Sequence, residues 1–186
     1  MAQRVCPVWI GYFLVSAIRR MMHNPRAILA PYVREGMTVL DFGSAMGFFS
    51  VPLARMVGPS GKVICVDMQE GMLKRLEKRA RKAGMASRME IRLSQQTSLG
   101  LEEYAGKIDF ALAFAAVHEV PDHPRLFHEL AALLTPTGGL LVAEPKGHVK
   151  EGQFARTVST AEQQGFRVVD RPRIHRSRAV LLKKAP

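Results

Sequence analysis

Cysteine is scarce: only Cys6 and Cys65 occur among 186 residues. Two thiols make no disulfide framework and show no zinc-ligand spacing, so a disulfide-stapled scaffold and a structural zinc domain are excluded. Cys65 falls within an apolar strand and reads as a buried core thiol, pointing to a reducing compartment and a cytoplasmic protein. No apolar run has bilayer-spanning length. Residues 5–18 are strongly apolar, but the run is too short and contains Pro7 and Gly11. Arg4 ahead of it and Val15-Ser16-Ala17 inside it faintly imitate a signal peptide. Arg19-Arg20 and an amphipathic stretch continue the pattern, which favours a packed N-terminal helix. Internal repeats, low-complexity tracts and interdomain linkers are also lacking. The chain is most simply one compact domain. Residues 1–35 make a helical segment and candidate lid, and residues 36–186 make the main body.

Acidic side chains are outnumbered, 16 against 27 Lys and Arg, for a net charge of +11. Such a field attracts anions: nucleic acid, an anionic membrane surface or an anionic metabolite. The excess gathers at Lys74, Arg75, Lys78, Arg79, Arg81 and Lys82 on one amphipathic helix. A second concentration, Arg171, Arg173, Arg176, Arg178, Lys183 and Lys184, lies near the C-terminus. No RNA-binding module accompanies the charge, so a solvated helix face with exposed strand positions is the simpler reading.

Apolar segments over 38–42, 62–67, 89–93, 108–114 and 140–144 read as strands. They alternate with helical patterns over 48–57, 69–83, 122–134 and 150–164, which implies a parallel sheet. A short helix starts at Asn24-Pro25, and Thr135-Pro136-Thr137-Gly138-Gly139 reads as a tight turn. Strands over 166–170 and 174–182 follow one another without a helix, which predicts an antiparallel hairpin.

The first strand runs Thr38-Val39-Leu40-Asp41-Phe42 into Gly43-Ser44-Ala45-Met46-Gly47. A strand, a glycine-rich turn and a helix form half of a βαβ nucleotide-binding unit. Small residues at 43, 45 and 47 are expected to let a ligand lie close to the backbone. A dinucleotide fingerprint starting at Gly43 would place its last small residue at Phe48, which is too large. Asp67 ends the second strand, 26 residues after Asp41, where a carboxylate can accept hydrogen bonds from adenosine ribose hydroxyls.

The spacing Asp41-x-Gly43-x-Ala45-x-Gly47 resembles the first motif of class I S-adenosylmethionine (SAM)-dependent methyltransferases, with Ala45 where that family most often has glycine. The resemblance covers roughly residues 36–184. It implies a Rossmann-like α/β fold with a seven-stranded, mostly parallel sheet, an antiparallel last strand and helices on both faces. The cofactor it implies is SAM, with S-adenosylhomocysteine as product. Asp41, Gly43, Ser44, Ala45 and Gly47 then form the cofactor turn. Asp67 holds the ribose, Met68 covers the adenine, Gln95 accepts from its amino group, and Phe114 and Ala115 border the methionine portion.

The segment Ile108-Asp109-Phe110 to Val117-His118-Glu119-Val120 resembles that of the ubiquinone/menaquinone-biosynthesis-like group, with Glu119 in place of a second histidine. Leu133 to Val142 is similar to a structural turn of the same group. His118 is the candidate general base or substrate-orienting group, and Glu119 a candidate cation ligand, proton acceptor or helix cap. Glu144, Lys146 and His148 leave the fifth strand on the pocket side as candidate substrate contacts. Trp9, Tyr12 and Phe13 are candidate pocket aromatics, or equally fillers of a core crevice or contacts to a membrane surface. No His-Cys-type metal cluster is evident. Neither an N-P-P-Y segment nor a cysteine at the fourth-strand exit is present, which counts against the best-known base methylators. The reading is a methyltransferase acting on a C or O acceptor of a small molecule. The alternatives are an RNA or protein methyltransferase using the basic surface, or a non-catalytic SAM-binding protein.

Overall fold

The computed structural model describes residues 23–185. The strands are β1 (Thr38–Phe42), β2 (Lys62–Asp67), β3 (Met89–Leu93), β4 (Ile108–Phe114), β5 (Leu134–Pro145), β6 (Phe166–Asp170) and β7 (Ser177–Lys184). The helices are α1 (Pro25–Leu29), α2 (Ser50–Met56), α3 (Glu70–Lys82), α4 (His123–Leu133) and α5 (Glu151–Gln163). All seven strands form one sheet in the order β3-β2-β1-β4-β5-β7-β6. β1 through β5 pair in parallel, and β7 is antiparallel to both β5 and β6. Strand order reverses between β1 and β4, which opens a crevice beyond their carboxyl ends.

Alternation along the strands divides the core. Leu40, Ile64 and Ala111 face Phe127 and Leu130 of α4 and Val158 of α5. Val39, Val63 and Leu112 face Leu53 of α2 and Leu73 and Leu76 of α3. Helices cover both faces, so β4 is almost continuously buried, as a central parallel strand must be.

Local sequence sets the helix ends. The Asn24 side chain accepts from the Arg26 and Ala27 amides, with Pro25 in the first turn of α1. Asp122 caps α4 by accepting from the Arg125 amide at 3.0 Å. In α3, Met72, Leu73, Leu76 and Ala80 make the buried stripe. Its exposed face carries the i,i+4 pairs Glu70–Lys74 and Glu77–Arg81 at 2.9 and 2.6 Å, the solvated arrangement read from the sequence.

Three sequence expectations change. The last strand begins at Ser177 rather than at residue 174, because residues 171–176 form the loop that leaves β6. The turn over 135–139 lies within β5, whose pairing with β4 jumps from Ile108↔Leu134 to Phe110↔Gly139. The extra residues form a bulge rather than a turn. The helix after the glycine turn begins at Ser50 instead of residue 48, because Ala45 through Phe49 remain in the turn. No helix among the described residues is long and apolar enough to cross a membrane.

Candidate functional site

The turn between β1 and α2 is built on three left-handed residues: Gly43 (φ +72°), Ala45 (φ +45°) and Gly47 (φ +77°). The Gly43 and Ser44 amides donate to the Val66 carbonyl at 2.9 and 3.0 Å, tying the turn to β2. A Cβ on Gly43 would collide with the Ala116 methyl, and one on Gly47 with Leu76 Cδ1. The space is therefore filled by protein. Gly43 and Gly47 admit the β4 exit and α3 against the turn, which replaces the expectation that they leave room for a ligand. Ala45 has no glycine's freedom at its φ, a conformation costing an alanine about 1–2 kcal/mol.

Asp41 differs from its expected role. Its carboxylate is buried and accepts from Ser50 Oγ at 2.5 Å, which joins β1 to the start of α2 under the turn. It is enclosed rather than presented to the crevice, so its contribution is to turn geometry. Ser44 is also buried, and its hydroxyl has no hydrogen-bond partner among the described residues. A buried hydroxyl without a partner is uncommon in a folded protein.

Asp67 lies across the turn from β1. Its Oδ2 accepts from the Ala45 amide at 2.8 Å and its Oδ1 from the Gln69 amide at 2.9 Å. A carboxylate has about four lone-pair sites, so it keeps acceptor capacity beyond its bonds to these backbone amides. Burial raises the Asp67 carboxyl above the ordinary carboxylate range, opposed by the amides of Gln69, Ala45 and Met68. Met68 and Gln95 line a shared crevice with Phe42, Ser94, Leu99 and Val120. The Gln95 side chain is exposed, and its backbone pairs with Ser98 to close the loop after β3. A surface cavity of about 960 Å³ lies elsewhere, among α1, α2 and α3, and is lined by none of these residues.

Phe114 ends β4 with its ring 4.6 Å from that of Phe49 and 5.3 Å from that of His23. Ala115 follows at φ +58°, its amide donating to the Ala143 carbonyl at 2.7 Å. That left-handed step turns the chain into the single helical turn Val117–Glu119.

His118 is therefore set beside the end of β5. Its Nδ1 is 2.6 Å from Glu144 Oε2, and its amide donates to Glu144 Oε1 at 3.1 Å. The Glu144 side chain is 1% exposed and that of His118 is 27% exposed. Burial alone lowers the His118 pKa, but the hydrogen bond and charge of Glu144, with the charge of Glu119, outweigh it. The imidazole is raised above its usual value. Glu144 is thus a correction: it is an enclosed partner of His118, not an open substrate contact. Glu119 is half-buried beside His118 and does not cap α4, which Asp122 does. The His148 ring is exposed, with its centroid 6.0 Å from that of His118.

Sequence reasoning missed His23, whose Nε2 is 2.8 Å from the His175 carbonyl at the same end of the sheet. No local signal marks it. It also missed the pairing of Glu144 with His118, although both leave neighbouring parallel strands at the same end. Trp9, Tyr12 and Phe13 lie outside the described residues.

A model of a family described as a methyltransferase domain matches residues 33–173. The chain is 31% identical over 121 residues to an arsenite methyltransferase of Halobacterium salinarum, covering 65% of this chain and 30% of that protein. It is 30% identical over 112 residues to a ubiquinone/menaquinone biosynthesis C-methyltransferase of Escherichia coli, covering 60% and 44%. It thus spans less than half the length of either relative. A SAM-dependent methyltransferase from Aquifex aeolicus superposes with a TM-score of 0.86 at 24% identity, covering 97% of this chain and all of that one. Fibrillarin from Aeropyrum pernix, solved with natively bound S-adenosyl-L-methionine, superposes at 0.65 with 16% identity, covering 81% and 68%. These two likenesses are of fold.

Proposed function

The chain belongs to the methyltransferase-domain family, and from that premise we propose that it transfers the methyl group of SAM to a carbon or oxygen acceptor of a small molecule, releasing S-adenosylhomocysteine. Bound SAM supplies a methyl carbon already activated on a sulfonium sulfur. The unpartnered Ser44 hydroxyl fits a polar ligand laid against the turn. Asp67 accepts the ribose hydroxyls on lone pairs that its backbone bonds leave over. Met68 packs on the adenine, and Gln95 accepts from its amino group. Phe114 and Ala115 border the methionine portion.

The acceptor assignment is carried by the grip of Glu144 on His118. A carboxylate at Nδ1 selects the tautomer that has its proton there, leaving the Nε2 lone pair free. Nε2 then takes the proton of an acceptor hydroxyl or acidic carbon. Glu144 stabilises the imidazolium that forms, the service a buried carboxylate performs for a catalytic histidine. Glu144 is a positioning residue, and Glu119 adds negative charge at the same imidazole. A base at this point is useful only to an acceptor that must lose a proton, which favours carbon and oxygen acids over acceptors with a ready lone pair.

Calorimetric titration with SAM, S-adenosylhomocysteine and NAD tests the donor; saturable binding of the first two alone is expected. Label transfer from methyl-tritiated SAM to a panel of phenols and enolisable acids tests the acceptor. His118→Ala should hold SAM affinity within about twofold and lower turnover by about 10²–10⁴. Wild-type turnover in that variant would refute the base assignment.

A further inference from the structure

The end of the sheet that carries His118 has an unusual charge distribution. Two loops leave it there: residues 146–150 between β5 and α5, and residues 171–176 between β6 and β7. Together these 11 residues hold Lys146, Lys150, Arg171, Arg173 and Arg176, and no Asp or Glu. All five cations are exposed. Among the described residues none of them forms an ion pair with a carboxylate. The equally basic α3 differs, because Glu70 and Glu77 are interleaved and paired along it. Asp170 and Glu151 flank the loops in sequence but form an ion pair with none of the five cations, and such a concentration of one sign produces a local field that attracts anions.

The loops are also fixed to each other and to the site. The Lys146 amide donates to the Arg176 carbonyl at 2.9 Å, and the Arg178 guanidinium donates to the Val149 carbonyl at 2.9 Å. His148, on the first loop, stands with its ring 6.0 Å from that of His118. Arg176 has φ +53°, a left-handed conformation in which glycine would be the undemanding choice. An arginine held there is strain on a loop bonded to the exit of β5, and such strain gathers at binding sites.

We infer that these loops form an anion subsite, so that the small molecule methylated beside His118 carries a carboxylate or phosphate group seated by Lys146 and Arg176. A guanidinium matches either group with two parallel hydrogen bonds, and a lysine supplies a mobile point charge. The subsite thereby selects acceptors by an acidic group remote from the reacting atom. The inference rests on the methyl-transfer reading above.

The test uses the full chain at fixed pH and ionic strength. The imidazole resonances of His118 and His148 are followed by NMR during titration with inorganic phosphate and, separately, with benzoate, chloride balancing the salt. The comparison variant carries Lys146→Ala and Arg176→Gly; glycine accepts the φ of residue 176, so the fold is retained. SAM binding is measured by calorimetry in both proteins. A saturable shift by at least one anion in the wild type is expected, weakened about tenfold or more in the variant while its SAM affinity stays within about twofold. Shifts that are absent, non-saturating or equal in the variant, with SAM still bound, overturn the subsite and leave the methyl-transfer reading standing. A wild type that binds no SAM overturns that reading and this inference with it. Tighter binding of a short single-stranded RNA than of either anion, with steep salt dependence, overturns the small-molecule subsite in favour of nucleic acid.

Discussion

One carboxylate holds one histidine twice: Glu144 Oε2 lies 2.6 Å from His118 Nδ1, and Oε1 accepts the His118 amide at 3.1 Å. The side chain that sets the protonation of the imidazole thus also fixes the backbone that carries it. Glu144→Gln keeps the shape and removes the charge. The His118 pKa should fall in that variant, and the acid limb of the pH–rate profile should move down with it. NMR titration of the imidazole and a pH profile of turnover check both. A structural defect alone would lower activity without moving the limb.

Stability should depend on pH through the same pair. The folded pKa of His118 is raised, so its contribution is fully present below the unfolded value of about 6.5 and is lost as pH rises through the folded value. His118→Asn should remove that pH-dependent component. Chemical denaturation of both proteins across that window measures it.

Asp67 should control donor affinity in a pH-dependent manner. Hydrogen bonds to a charged acceptor contribute about 1.5–3 kcal/mol each, so Asp67→Ala should weaken SAM binding by about tenfold or more. Because burial raises the Asp67 carboxyl, wild-type affinity should decline on acidification sooner than for an ordinary aspartate. Calorimetry at several pH values tests both statements, and an unchanged dissociation constant in the alanine variant would sink the ribose assignment.

The glycine turn predicts contrasting substitutions. Gly43→Ala drives a methyl into Ala116 and adds the left-handed penalty, so a loss of about 1–3 kcal/mol or more is expected. Ala45→Gly relieves a φ of +45°, worth about 1–2 kcal/mol. It loosens the unfolded chain by about 0.4–1 kcal/mol. The net effect should be neutral to mildly stabilising in urea denaturation.

The parallel strands were legible because a sheet buried on both faces writes them as apolar runs, as Ile108–Phe114 does. The antiparallel β7 was legible because no helix intervenes after β6. What the glycines contact was not legible. Spacing places Gly43 in a turn, but the neighbour at its missing Cβ is Ala116, 73 residues later. The same limit hid the partner of His118. Glu144 reads as an exposed strand-end acid until β4 and β5 are aligned, when it becomes a buried acceptor. The bulge in β5 looked like a turn because Pro136, Gly138 and Gly139 suit either.

That bulge acts as a spacer for the His118–Glu144 pair. It absorbs the surplus residues between Ile108↔Leu134 and Phe110↔Gly139, after which β5 runs in unbroken register with β4 through Phe114↔Ala143. Strand faces alternate residue by residue, so a slip of one position beyond the bulge would send Glu144 to the other side of the sheet. The contact of Glu144 with His118 is therefore held by a pairing register that starts at the opposite end of β5.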